Sequence, residues 1–510
     1  MTAPETTAPR AAAATAPSGV AAVARGGFWG MAGSAANAVF SFLLVGLVTR
    51  AVGADGSGVI FTGVAVFTIL SNACKLGADA GLIRFVPRDL ALHDGRSVGA
   101  LLRMAVLPAA AAGTAAAVPL LLAPTVATAL LPALPPADAV TLVRLFGLFL
   151  PAATVGMVLL GATRGYGTVV PFVGVEQIGK PLLRLLIALP VAFCAPSLLA
   201  LASAWLLPTL AGFVAAWYAL RRCRAAHRTG ERGTVPWRAF WGFAAPRAVS
   251  SVFDISAVWV GVILLSALAT SGEAGLYTAI GRVITAGTLI QLAVRLAVAP
   301  EISRLLALRE DTEAHGLHRV STCWIVLFSW PLFALVAGFP ATVLSAFGPE
   351  FVRGAPALVV LCAAAVVNVA VGNAQTVLLM AGRSSWHLAV TAAAFTVQLV
   401  VGVLAVPVWG VLGAAVSWGA AIVVENLAAA LLIRRGLGFT TVDRGYSTAL
   451  AIGLLVSAAL GAVRALRGDT PSGLAVGMVL GMCVFAISLW RYRTSLRVSE
   501  LVGVLRRRTA

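Results

Sequence analysis

Long apolar runs separated by short polar turns fill the sequence between residues 27 and 490. A bilayer core about 30 Å thick is crossed by about 20 helical residues. Runs of that length predict spans at 27–49, 59–83, 98–123, 141–162, 168–193, 197–219, 239–268, 274–299, 320–339, 356–380, 386–406, 411–433, 446–463 and 472–490. The pattern therefore predicts an all-α polytopic membrane protein with about 14 transmembrane helices.

Two similar turns indicate an internal repeat. The turn GADGSGVIF (53–61) follows the first span and TSGEAGLYT (270–278) follows the seventh, with Gly58 and Gly275 at corresponding positions. Both turns open a second span in the same membrane orientation, so spans 1–6 and 7–12 are predicted to form two six-helix bundles related as parallel repeats. Spans 13 and 14 are two extra helices.

This division predicts six regions along the chain. They are a disordered cytoplasmic tail at 1–26, an N-terminal six-helix bundle at 27–220, a basic cytoplasmic linker at 221–238, a C-terminal six-helix bundle at 239–434, helices 13 and 14 at 435–490, and a basic cytoplasmic tail at 491–510. The first region lacks a basic stretch followed by a cleavable apolar segment, so no signal peptide is expected.

Composition supports a membrane protein and gives its expected orientation. Of the 510 residues, 60% are hydrophobic and 11% are charged, against about 25% charged in soluble domains. The net charge of +18 would suggest nucleic-acid binding in a soluble chain, but here most arginines lie in alternate loops. The loops of the opposite side hold Arg50, Arg353, Arg464 and Arg467. Because basic loops stay in the cytoplasm, both termini are predicted to be cytoplasmic, in the cytoplasmic membrane, with no nucleic-acid partner.

Ionisable residues inside the predicted spans are the main candidates for function, because each costs at least about 2.5–3.5 kcal/mol at bilayer depth. Ten of them stand out: the bases Lys75, Lys180, Arg184, Arg247, Arg282 and Arg295, and the acids Asp79, Glu176, Asp254 and Glu425. The bases outnumber the acids, which predicts a hydrated cavity that receives an anion such as a phosphate or pyrophosphate group. Arg295 lies near the end of its span and can extend to the interface.

Spacing places several of these charges together. Glu176, Lys180 and Arg184 follow one another at four-residue intervals and share a helix face, as do Lys75 and Asp79. They could form structural ion pairs, or they could line the cavity. The candidate substrate-binding residues are Lys75, Lys180, Arg184, Arg247 and Arg282, and the candidates for coupling or ion pairing are Asp79, Glu176 and Asp254.

Catalytic and metal-binding patterns are absent from the sequence. It has no GxxxxGK[ST] motif and no HExxH motif, and its 6 cysteines are scattered singly without nearby histidines. No catalytic residue, metal or cofactor is therefore expected. A transporter is the first hypothesis, and the protein is not expected to be an enzyme.

Short motifs in a fixed order resemble the Wzx-type polysaccharide or oligosaccharide flippases of the MOP (MATE-like) superfamily. In the first half they are Arg50-x-x-Gly53-x-x-x-x-Gly58 and LGADAGLIRF (76–85). In the second half they are SGEAGLY (271–277), APEI (299–302), FGPEF (347–351), LLMAGR (378–383) and PVWGVLGAA (407–415). The resemblance covers nearly the whole chain.

This resemblance implies that the protein moves a polyprenyl-pyrophosphate-linked oligosaccharide from the inner to the outer leaflet, by alternating access, for cell-surface polysaccharide biosynthesis. It also implies that basic cavity residues, with Lys180, Arg184 and Arg247 as candidates, face the anionic headgroup, and that spans 13 and 14 border a groove for the lipid tail. The implied partners are the glycolipid, membrane lipids, and a polysaccharide polymerase or glycosyltransferases. A lipid II flippase is the nearest alternative; a MATE-type exporter is a weaker one, because it needs carboxylates for a cationic substrate.

Overall fold

The computed structural model describes residues 19–93, 97–227, 237–381 and 383–496, which are helical with no strand among them. The helices are α1 (Gly19–Cys74), α2 (Ala78–His93), α3 (Val98–Leu122), α4 (Pro124–Leu130), α5 (Pro136–Gly165), α6 (Val170–Phe172), α7 (Lys180–Cys194), α8 (Leu198–His227), α9 (Trp237–Leu268), α10 (Ser271–Gly287), α11 (Leu289–Ala307), α12 (Asp311–Gly338), α13 (Pro340–Ser345), α14 (Ala355–Val371), α15 (Ala374–Met380), α16 (Ser384–Leu437), α17 (Arg444–Arg467) and α18 (Pro471–Arg491). A π-helical segment, Val173–Gly179, joins α6 to α7, and a 3-10 turn, Pro349–Gly354, precedes α14.

Fourteen spans can be counted in these described residues. Eleven segments are long and apolar enough to cross a membrane, and the pair α10 and α11, bent by 41°, adds a twelfth. Two of the eleven, with 63 and 53 residues, are far longer than the 20 or so that one crossing needs. Each breaks at a glycine with positive φ, Gly53 (φ 68) in α1 and Gly410 (φ 51) in α16, and so holds two spans. The predicted fold class is confirmed.

The predicted tails and linker lie largely outside the described residues. Helix α1 begins at Gly19, eight residues before the predicted first span, whereas residues 1–18 lie outside the described residues. Half of the predicted linker (228–236) and most of the predicted C-terminal tail (497–510) also lie outside them.

The spans pack as two lobes and a helical hairpin. We call α1 to α8 the N-lobe and α9 to α16 the C-lobe; the two are joined by extensive packing of α1 against α10 and α9. The hairpin of α17 and α18 packs against α12 through a buried apolar cluster. Hydrogen bonds attach the hairpin near both of its ends: Asp469 accepts from the backbone N–H groups of Ala341 and Thr342, and the Trp324 indole donates to the Leu496 carbonyl.

The inter-span segments meet in two groups at opposite ends of the molecule. At the first end, the Asp55 end, Ser271 Oγ donates to Asp55 Oδ1 (3.4 Å) and Arg50 Nε donates to the Ala346 carbonyl (2.9 Å). At the second end, the Thr440 end, the Thr440 N–H donates to His315 Nε2 (2.8 Å). This grouping agrees with the alternation of loops predicted from the spans.

The two turns of the predicted repeat lie against each other. At the Asp55 end, a Cβ atom on Gly58 would overlap the Ser271 carbonyl, and one on Gly275 would overlap the Ala54 carbonyl. The second span of α1 therefore crosses α10 with the two backbones in contact, which only glycine permits.

The same span also reaches the C-lobe at its other end. Helix α1 ends at Cys74, and the break before α2 holds Leu76 (φ 55) and Gly77 (φ 69) in the left-handed region. Gly77 packs against the backbone of Ala244 in α9, where a Cβ atom would not fit. The second span of α1 therefore contacts the C-lobe at both of its ends. The space between these two contacts forms the candidate site.

Candidate functional site

A cavity of about 210 Å³ lies between the lobes. One wall comes from the C-lobe through Trp259 and Arg282. The N-lobe supplies the remaining lining residues, Ser41, Leu44, Val45, Phe61, Val64, Phe67, Thr68, Ser71, Asn72, Ala153, Met157, Glu176, Lys180, Pro181, Arg184 and Trp205. The cavity therefore combines cations, a carboxylate, hydroxyl and amide groups, and aromatic rings.

The π-helical segment places three predicted charges in this cavity. Pro181 has no backbone N–H and its ring crowds the preceding turn, which disfavours regular α-helix here. The Lys180 N–H donates instead to the Val175 carbonyl, five residues back. The widened turn keeps Glu176, Lys180 and Arg184 on the cavity wall, as their spacing predicts.

Lys180, the first residue of α7, is neutralised by Glu176 of the preceding π-helical segment. Its ammonium Nζ lies 2.8 Å from both carboxylate oxygens of Glu176. The side chain of Lys180 is 10% exposed and packs over Gly212 of α8, where a Cβ atom would lie 2.8 Å from Lys180 Cδ. This arrangement is a partly buried ion pair, with the Lys180 ammonium buried and the Glu176 carboxylate open to the cavity.

The two cavity arginines have a different environment. Arg184 Nε donates to the Trp205 carbonyl at 3.0 Å, and Arg184 Cζ lies 3.8 Å from the centroid of the Trp205 ring. Arg282 Cζ lies 5.2 Å from the centroid of Trp259. In the described part of the chain, neither guanidinium is within ion-pair distance of a carboxylate. The cavity therefore holds two cations, one from each lobe, that are not neutralised by a contacting carboxylate.

A second charged cluster lies beside the cavity, where α1 gives way to α2. Lys75 Nζ is 3.2 Å from Asp79 Oδ2, and Arg164 Nη2 is 3.9 Å from the same oxygen. Lys75 interacts electrostatically with Glu176, so the cluster adjoins the ion pair of α7 without lining the cavity. The span predicted at 141–162 leaves Arg164 in a loop, whereas α5 continues to Gly165.

Arg247 and Asp254 lie elsewhere. Both belong to α9, are exposed, and are not among the cavity-lining residues. Asp254 interacts electrostatically with His387 of α16 and with Arg247. The structure thus brings Glu176, Lys180, Arg184 and Arg282 together, and places the pairs Lys75–Asp79 and Arg247–Asp254 outside the cavity.

Several solved structures that share this arrangement of helices are transporters. No protein-family model matches the sequence, and no curated protein matches it. The structure resembles the lipid II flippase MurJ in an inward closed conformation (TM-score 0.71, 10% identity, covering 89% of this chain and 98% of MurJ). It also resembles a multidrug resistance MATE family transporter of the MOP superfamily in an inward-facing conformation (TM-score 0.66, 14% identity, 79% and 94% covered).

This chain has the fold of the MOP-superfamily transporters. A third structure with this fold, a MOP-superfamily transporter from Pyrococcus furiosus described as having a binding pocket of reverse polarity, matches with a TM-score of 0.58 at 14% identity, with 86% of this chain and 96% of that one covered. At these identities the likeness establishes the MOP fold alone. What this chain carries has to be inferred from its own cavity.

Proposed function

We propose that this protein is a flippase that moves a polyprenyl-pyrophosphate-linked oligosaccharide from the inner to the outer leaflet of the cytoplasmic membrane. One observation carries the proposal. Arg184 and Arg282, from opposite lobes, face one cavity, and among the described residues neither guanidinium lies within ion-pair distance of a carboxylate. A buried cation at membrane depth is costly, and an anionic headgroup between the lobes would compensate both charges at once.

The rest of the lining suits a glycolipid headgroup. Ser41, Thr68, Ser71 and Asn72 add hydroxyl and amide groups from α1, which can bond sugar hydroxyls. The lipid tail can remain in the bilayer while the headgroup crosses between the lobes. Alternating closure of the Asp55 and Thr440 ends would then expose the headgroup to one side at a time.

We expect neutralisation of Arg184 or Arg282 to slow transport about ten- to a hundredfold, because a hydrogen bond to a charged group contributes about 1.5–3 kcal/mol. The measurement is the initial flipping rate of a fluorescent polyprenyl-pyrophosphate-linked disaccharide in proteoliposomes, for Arg184→Gln and Arg282→Gln. Arg144→Gln is the matched control, since Arg144 Nε donates to the Leu121 carbonyl (2.9 Å) outside the cavity. Unchanged rates in both cavity variants would contradict the proposal.

The orientation that we propose puts the Thr440 end in the cytoplasm, because the arginine-rich loops lie there. We expect a green fluorescent protein fused after Thr440 to be fluorescent and alkaline phosphatase fused after Asp469 to be active. The reverse pattern at these two positions would invert the topology and with it the proposed direction of transport.

A lipid II flippase is the second candidate, and the likeness to MurJ favours it. Its substrate also carries a pyrophosphate, so the cavity arginines would serve both. Competition between lipid II and the oligosaccharide lipid in the same flipping assay separates the two. A MATE-type exporter of cations is disfavoured, because in the cavity the carboxylate of Glu176 is engaged by Lys180.

A further inference from the structure

Each cavity arginine rests on a tryptophan of its own lobe. Arg184 of α7 lies over Trp205 of α8, and Arg282 of α10 lies over Trp259 of α9. The two pairs come from different helix pairs of the fold, so the internal repeat does not generate one from the other. The same type of arginine–tryptophan contact therefore occurs twice around one cavity.

The tryptophans are themselves fixed by packing. The Trp205 ring packs edge-on against Phe67 (centroids 5.6 Å apart, 87° between planes) and lies 6.3 Å from Phe146. Trp259 is 8% exposed and belongs to the same apolar core. Neither ring can move away from its arginine without disturbing that core.

A tryptophan and a carboxylate stabilise a buried cation with different consequences. The carboxylate of Glu176 cancels the charge of Lys180, so that an incoming anion would have to compete with it. The face of a tryptophan attracts a guanidinium through its quadrupole but carries no formal charge. An arginine held in this way keeps its positive charge for a ligand, and its long side chain is already ordered.

We propose that Trp205 and Trp259 are positioning residues that hold Arg184 and Arg282 in the cavity as charged, ordered anion-binding groups. This inference rests on the proposed function. In this proposal the two arginine–tryptophan pairs provide the specificity for pyrophosphate. The Lys180–Glu176 ion pair does not have that role. Because Arg184 and Arg282 also interact electrostatically across the lobe boundary, an anion between them would relieve their repulsion.

The test measures discrimination between anionic and neutral lipids by the purified full-length chain. The probes are a fluorescent polyprenyl pyrophosphate and a polyprenol of the same length without phosphate, and the quantity is the ratio of their affinities. We expect Trp205→Leu and Trp259→Leu each to lower this ratio roughly tenfold, and the Phe variants to lower it about threefold, since Phe binds cations less well than Trp. General misfolding would weaken both affinities and leave the ratio unchanged.

Two outcomes overturn different claims. If Arg184→Gln and Arg282→Gln lose discrimination while the Leu variants keep it, the tryptophans have no positioning role, and the proposed function stands. If the two arginine variants keep full discrimination, the anion site itself is wrong. Should a Leu variant fail to fold, the Phe variant at that position decides, and an unchanged ratio there overturns the inference.

Discussion

Adding one methyl group at Gly58 or Gly275 is expected to abolish most transport while leaving the protein in the membrane. Each new Cβ atom would overlap a backbone carbonyl of the opposing helix, that of Ser271 or of Ala54. Overpacking of this kind costs about 1–3 kcal/mol, which lowers the population of the closed Asp55 end by about 5- to 150-fold. A carrier that cannot close this end cannot complete an alternating cycle.

The effect can be measured as flipping rate together with accessibility. In a background without the native cysteines, Ser71→Cys in the cavity is labelled by a membrane-impermeant thiol reagent added from the Asp55 side. We expect faster labelling in Gly58→Ala and Gly275→Ala. Gly281→Ala is the matched control, since Gly281 lies in the same helix as Gly275 and has open space where its Cβ atom would be. Wild-type labelling and transport in both variants would show that the crossing does not close the transporter.

The glycine crossing also shows how much of the fold could be predicted from the sequence. Gly58 and Gly275 are recognisable as equivalent because the turns around them match, and the spans follow from apolar runs. The contact between the two turns depends on tertiary packing, which the sequence pattern does not specify. Hydropathy also predicted a single span up to residue 83, whereas a break at Leu76 and Gly77 interrupts it, because positive φ angles leave no trace in hydrophobicity.

Charge pairs within one helix were predictable, and those between helices were not. The Glu176–Lys180 pair follows from spacing, because residues four apart share a helix face. The Lys75–Asp79 pair also forms, but across the break between α1 and α2 and not on one helix face. The Arg184–Trp205 contact joins α7 to α8, and no periodicity within either helix encodes it. Spacing places Arg247 and Asp254 on one side of α9, but it cannot say that this side lies away from the cavity.

Removing Glu176 alone is expected to deplete the protein from the membrane severalfold. The Glu176→Gln variant leaves the buried ammonium of Lys180 without the carboxylate that now lies 2.8 Å away. Breaking a buried ion pair from one side costs about 3–5 kcal/mol, a large part of the stability of a typical protein. Abundance in membranes and the midpoint of thermal unfolding measure the effect. Glu301→Gln is the control, because the Glu301–Arg304 pair has the same 2.8 Å geometry with both side chains about half exposed.

The double variant Glu176→Gln/Lys180→Gln separates stability from transport. Because it removes both charges together, neither partner of the pair is left as an uncompensated ion, and we expect abundance to recover. Transport should then lie within a fewfold of the wild type, since Arg184 and Arg282 keep their charges and their tryptophans. An abundant but inactive double variant would instead indicate that Lys180 binds the anion, and that Glu176 releases Lys180 when the anion binds. Because the double substitution leaves the net charge of the cavity unchanged, whereas each single substitution shifts it by one unit, either result reports on the Glu176 and Lys180 side chains themselves and not on that net charge.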